Sequence, residues 1–182
     1  MRTITIKEYD QTWTEEFKRI KSMLFPLTDD LIADIVHIGS TSVPGLRAEP
    51  IIDVNIVIGS YDVLPALTER LESLGYIAEG AGTSNRGRFR KDKPGPVTHY
   101  IYVCRKGSAD LMRHIAFRDY LIKHPDAAEE YGMLKSFLAV KFPADADSYA
   151  EGKRAFIERT IEKAMVKGPR RNVMIQETSG RV

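Results

Sequence analysis

Apolar positions along the chain fall into short periodic segments. The first is Trp13, Phe17, Ile20 and Leu24. Steps of four, three and four place them on one helical face. Thr12 or Thr14 would cap this helix, and Pro26 is its expected end, because proline removes a backbone donor. Residues 35–38 predict a short strand, and GSTSVPGL (39–46) reads as a loop. The β-branched run Ile51-Ile52-Asp53-Val54-Asn55-Ile56-Val57-Ile58 predicts a strand. Alternate side chains point to opposite faces. Ile52, Val54, Ile56 and Ile58 therefore form a wholly apolar face, while Ile51, Asp53, Asn55 and Val57 form one with two polar groups. Leu64, Leu67, Leu71 and Leu74 predict a second helix over 63–74, closed by Gly75. A short strand at 76–78 and a Gly-rich loop, GAGTSNRG, follow. Then come the basic segment RGRFRK (86–91), a turn at Pro94–Pro96, and a strand at 98–104. The last third is helical. Leu111, Ile115 and Ile122 mark one helix. Pro125 opens the next, which carries Ala128, Tyr131, Leu134 and Leu138. A final helix over about 148–165 presents Tyr149, Phe156, Ile157, Ile161 and Ala164. The element order predicts an α+β protein with a mixed sheet. Residues 1–166 are expected to form one domain, and 167–182 a loose tail.

Composition narrows the partners. The chain has 182 residues, with 27 Lys and Arg against 25 Asp and Glu, a net charge of +2. That balance gives no global attraction to nucleic acid or to a membrane surface. No apolar run approaches the ~20 residues a membrane helix needs. The start, MRTITIKEYD, lacks the apolar core of a secretory signal. Cys104 is the single cysteine, which excludes an intramolecular disulfide and a Cys-rich zinc site and suits a reducing compartment. A cytoplasmic location and no membrane partner are expected. The oligomeric state is not legible.

The chemistry is concentrated between residues 39 and 55. Gly39-Ser40 is followed, after twelve residues, by Asp53-Val54-Asn55-Ile56. A Gly-Ser turn after a strand lets backbone N–H groups and a hydroxyl approach phosphate oxygens. A carboxylate on the next strand can hold a divalent ion against them, because hard cations prefer oxygen.

These residues sit in HIGSTSVPGLRAEPIIDVNIVI (37–58), which resembles the signature of the GrpB-like family, similar in fold to the nucleotidyltransferases. The resemblance continues in RHIAFRDYLIKHPDAAEEYGMLKSFLA (113–139) and YAEGKRAFIERTIEKA (149–164), covering about residues 5–166. It implies a nucleotidyltransferase-like mixed sheet flanked by helices, with further C-terminal helices. It also implies Mg2+-dependent transfer of a nucleoside monophosphate, with Asp53 as metal ligand and Asn55 beside it. Gly39, Ser40, Thr41 and Ser42 would hold the phosphates. The wider superfamily places a second acid where this chain has Asn55, and a third on a later strand, best matched to 98–104, which contains none.

The remaining cations bear on the choice between enzyme and binding protein. Arg118, His114, Lys153 and Lys135 fall on or near apolar helical stripes. They either converge on a phosphate near Asp53 or pair with Asp119, Glu129 or Glu130. Arg86, Arg88 and Arg90 share one face if extended, with Lys91 next. They suit polyphosphate, or form a basic edge that blocks strand pairing. His99 reads as a hydrogen-bonded structural histidine or a ligand, and Cys104 as packing. The four histidines lack zinc-ligand spacing. Only Phe89 interleaves the basic segment, which argues against a nucleic-acid stacking platform. Two readings result. One is a nucleotidyltransferase acting on a nucleotide and an acceptor. The other is a non-catalytic protein on the same fold that binds a nucleotide, a coenzyme-A-related molecule or another polyanion. The second gains from family members fused to dephospho-CoA kinase domains. Proximity of Glu49, Asp62 or Asp110 to Asp53 favours the first; pairing of Asp53 with Lys or Arg alone favours the second.

Overall fold

A computed structural model describes residues 3–79, 87–91 and 98–167. Arg86, most of the Gly-rich loop, the Pro94–Pro96 turn and 168–182 lie outside the described residues. The elements are α1 (Thr12–Thr28), β1 (Asp34–Ile38), β2 (Ile51–Ile58), α2 (Leu64–Ser73), β3 (Ile77–Glu79), β4 (Gly87–Lys91), β5 (Thr98–Arg105), α3 (Ala109–Lys123), α4 (Pro125–Lys141) and α5 (Ala146–Lys167). One sheet runs in the order β1-β2-β5-β4-β3. β2 and β5 pair in parallel and the other neighbours antiparallel, so the sheet is mixed, as the α+β expectation required.

The alternation in β2 decides how the layers stack. Ile52, Val54, Ile56 and Ile58 are fully buried on one face, with Ile101, Val103 and Phe89 from the neighbouring strands. Trp13, Ile20 and Leu24 of α1 and Leu67 and Leu71 of α2 cover that face. Burying each such side chain contributes about 1.5–3 kcal/mol. On the other face, α3 covers Val57 and Cys104 through Leu111. The C-terminal helices build a second core from Leu121, Tyr131 and Phe156, and Val43 and Leu46 of the β1–β2 connection enter it. That connection therefore joins the sheet to the helices.

Two expectations are corrected. Pro26 lies inside α1 rather than ending it. It falls in the last turn, so only Leu27 and Thr28 continue the helix beyond it, and the Thr28 hydroxyl donates to Leu24 O at 2.8 Å. The basic strand β4 is not a sheet edge: it lies between β5 and β3, with Phe89 in the core and Arg88 and Arg90 on the opposite side.

Candidate functional site

The site begins where β1 ends. Ile38 pairs with Asp53 across the antiparallel β1–β2 ladder, so the next residue, Gly39, turns over the Asp53 carboxylate. Gly39 has φ +70° and ψ −172°, a region essentially restricted to glycine. A Cβ built there would lie 2.8 Å from Asp53 Cβ and nearer still to its Oδ2. Glycine is thus required twice, by backbone conformation and by close approach.

Ser40–Ser42 form a 3-10 turn whose hydroxyls are used internally. Thr41 Oγ1 donates to Ile51 O at 3.0 Å. Its proton being spent, His37 Nε2 at 3.1 Å is the donor in their contact. Ser42 Oγ donates to Gly39 O at 2.6 Å. Ser40 hydrogen-bonds the Tyr131 phenol. These hydroxyls set the loop's shape and position.

Cations reach Asp53 from three elements. Lys153 of α5, Arg88 of β4 and Lys135 of α4 all act on its carboxyl, and Glu49 opposes them. Lys153 Nζ stands 3.9 Å from the Tyr149 ring centroid, one helical turn back. Lys135 is 2% exposed; its Nζ donates to Arg47 O at 2.5 Å and lies over the Tyr131 ring at 4.7 Å. Arg88 stacks over Tyr100 at 4.8 Å and pairs with Glu79 at 3.2 Å. Burial is the largest influence on Asp53 and pushes it up to about 7, against the pull of the cations. Burial, then the charge of Lys153, brings Lys135 down to about 7. Lys153 is lowered by burial. The site is therefore a half-buried carboxyl beside one buried and one half-buried lysine, with Glu49 near all three.

Other candidates lie elsewhere. Asn55 is fully buried. Its Nδ2 donates to His114 Nδ1 at 3.0 Å, and its Oδ1 accepts from Cys104 Sγ at 3.3 Å. This amide ties β2 to α3 and β5. Arg118 donates to His37 O at 2.9 Å and to Asp119 at 2.8 Å, so it fastens the end of β1. Arg90 pairs with Glu79, and Lys91 donates to Leu74 O at 2.8 Å. His99 bonds Glu16 of α1 at 3.0 Å, the structural alternative. Asp62 belongs to the Ser60 cap after β2, and Asp110 to the first turn of α3. Sequence reasoning missed Tyr131, Tyr100 and Tyr102 as site residues. The available signal was parity on the β5 strand: in the parallel register Tyr100 stands beside Asp53 and Tyr102 beside Asn55.

The magnesium site that the resemblance implies fits these residues poorly. Glu49 near Asp53 is the feature that favours the transferase reading; against it, Asn55 is engaged by His114 and Cys104. The β5 positions facing it are tyrosines. Among the described residues no group of three His, Cys, Asp or Glu side chains can hold a metal ion. No helix among them is long and apolar enough to cross a membrane.

Comparison with known proteins agrees with this architecture. The GrpB protein family profile matches residues 3–163. The UPF0157 protein YqkA of Bacillus subtilis (strain 168) is 35% identical over 164 residues, covering 90% of this chain but 48% of YqkA. The chain thus spans about half of that relative's length. The glutamate-rich protein GrpB of Alkalihalophilus pseudofirmus is 30% identical, over 88% of this chain and 95% of its own. The crystal structure of GrpB from Enterococcus faecalis superposes with a TM-score of 0.82 at 33% identity, covering 90% of this chain and 98% of that one. The GLD-2/RNP-8 complex structure shares the fold at 11% identity and a TM-score of 0.56, over 82% of this chain and 59% of that one. Profile, relatives and superposition agree over nearly the whole described chain, which belongs to the GrpB family.

Proposed function

We propose that this protein binds a phosphorylated small molecule, with nucleotides the first class to test, beside Asp53 of β2, where cations of α4, α5 and β4 act on its carboxyl. The supporting observation is the convergence of Lys153, Lys135 and Arg88 on Asp53 beside the Gly39–Ser42 turn. Buried ammonium groups are costly without an anion, and a phosphate supplies one with several acceptors. Tyr100 and Tyr102, half-buried with the Arg88 guanidinium over them, offer a flat surface next to the cations. A nucleobase or another planar group would stack there. Thermal unfolding tests the reading. Pyrophosphate, nucleoside triphosphates and coenzyme-A fragments should raise Tm by mass action, by about 2.7 kcal/mol of stabilisation at a hundredfold excess over Kd. Lys153→Ala should lose most of that shift. No shift with any of these ligands would remove the proposal.

A second reading is transfer of a nucleoside monophosphate, in which an acceptor oxygen attacks the α-phosphorus and pyrophosphate leaves. It draws on the place of Asp53 beside a glycine turn, within a fold shared with nucleotidyltransferases. Magnesium-dependent pyrophosphate release from a nucleoside triphosphate, lost in Asp53→Asn, is its signature. Release that persists in that variant would take Asp53 out of the reaction.

A further inference from the structure

Resting on the phosphate-binding reading, we infer that the site holds its phosphate with the Lys153 ammonium, supported by Lys135, in place of a divalent cation. Three observations point there. First, Asn55, where a second acid would stand, has both ends of its amide engaged: Nδ2 donates a hydrogen bond to His114 Nδ1 at 3.0 Å, and Oδ1 accepts one from the Cys104 thiol at 3.3 Å. Its side chain is fully buried and has no oxygen to turn toward a metal without breaking both contacts. Second, the strand that would carry a third acid presents Tyr100 beside Asp53 and Tyr102 beside Asn55. Third, the cations that act on Asp53, which are Lys153, Arg88 and Lys135, outnumber the one opposing carboxylate, Glu49. Lys153 and Lys135 come from two different helices, each extended over the tyrosine one turn before it on its own helix. Even with Glu49 beside Asp53, a divalent ion there would meet a majority of like charges and a phosphate a majority of opposite ones.

The donor inventory agrees. Thr41 and Ser42 donate their protons to Ile51 O and Gly39 O, and the Ser40 hydroxyl meets Tyr131. The loop hydroxyls are therefore occupied in shaping the turn. An ammonium has three donors. Lys135 spends one on Arg47 O, which leaves two, and Lys153 approaches through its contact with the Tyr149 ring. A phosphate needs several donors at once. Asp53 then has a role opposite to that of a metal ligand. When ionised, above about pH 7, it is a nearby negative charge that offsets the lysines until the anion arrives.

The test is pyrophosphate titration by calorimetry, once in EDTA and once with excess magnesium. Wild type, Lys153→Gln, Lys153→Arg and Asp53→Asn are compared, each first checked for native circular dichroism. Wild type should bind in EDTA. Lys153→Gln should weaken binding about tenfold or more and Lys153→Arg should restore most of it, as expected for a charge-assisted contact. Asp53→Asn should bind at least as tightly as wild type, because a negative charge is removed. Binding that requires magnesium and disappears in Asp53→Asn would overturn the inference while leaving the phosphate reading intact. Binding in EDTA that Lys153→Gln leaves unchanged would also overturn it. Absence of binding in both buffers would overturn the inference and the phosphate reading together, leaving Lys153, Lys135, Asp53 and Glu49 as a charge-balanced structural cluster.

Discussion

Gly39 and Asn55 show how single residues set the site from opposite directions. Gly39 lets the chain pass directly over Asp53, in a backbone conformation that L side chains avoid. Gly39→Ala should lose about 1–3 kcal/mol from the backbone alone, with a further loss because its Cβ displaces the Asp53 carboxyl. Urea unfolding would show the loss, and pyrophosphate affinity should change with it. Unchanged stability would mean that the turn relaxes freely and does not fix Asp53. Asn55 instead fills its position with hydrogen bonds. Asn55→Leu keeps the branched shape in a somewhat bulkier side chain but removes the hydrogen bonds to His114 Nδ1 and the Cys104 thiol. A buried polar group stripped of its partner costs about 1–3 kcal/mol. Loss of stability without loss of pyrophosphate binding is the expected pair of results. A loss of binding alone would return Asn55 to the binding machinery.

Helix packing decides whether the two lysines reach the sheet. Gly152 of α5 faces Leu138 of α4, and a Cβ there would lie 2.9 Å from Leu138 Cδ1 and 3.3 Å from Cγ. Helix propensity alone favours Gly152→Ala by about 1 kcal/mol. The buried leucine opposes it, since overpacking costs about 1–3 kcal/mol. We expect the variant to be no more stable than wild type and to bind pyrophosphate more weakly, because Lys153 follows Gly152 directly. A clear gain in Tm with unchanged affinity would show that α4 and α5 adjust without moving Lys153. Much at this scale was readable from spacing. The period-two pattern in residues 51–58 identified both faces of β2, and the four-residue steps Tyr131–Lys135 and Tyr149–Lys153 placed both lysines on inward stripes. What spacing cannot carry is contact between distant segments. Asn55 meets residues 59 and 49 positions away, so its engagement was hidden behind a local Asp-x-Asn pattern. The interior position of β4 was equally invisible, because strand order is set by the tertiary fold. Arg118 was placed correctly near a stripe, but its target, the His37 carbonyl, lies 81 residues away.

Across the whole molecule, the sheet and the C-terminal helices are joined by polar contacts around the site: Arg118 to His37 O, Lys135 to Arg47 O, His114 to Asn55, and Tyr131 to Ser40. Burying so many polar groups makes stability depend on pH through groups of opposite sign. His37, stacked on Phe17, is lowered to about 4 by burial and by the charge of Arg118. As pH falls from 6.5 toward 4, the unfolded chain takes up that proton first, and stability drops by about 3 kcal/mol in total. His99 is lowered in the same direction, again chiefly by burial. Asp53 is raised from 3.8 to about 7. As pH rises through that interval, the unfolded chain ionises first, and stability drops toward neutrality. Lys135, lowered to about 7, is charged in both states below that pH and adds no slope there. Between about pH 4.5 and 6.5 the histidines and Asp53 therefore oppose one another, and wild type should show a shallow stability profile. Asp53→Asn removes one side. Its stability should climb with pH across the window, at up to ~1.4 kcal/mol per pH unit for each proton. His37→Gln removes the larger part of the other side, so its stability should fall as pH rises. Urea unfolding of the three proteins at closely spaced pH values would separate the slopes. Three parallel profiles would show that neither group differs in protonation between the folded and unfolded chain, and that water reaches both.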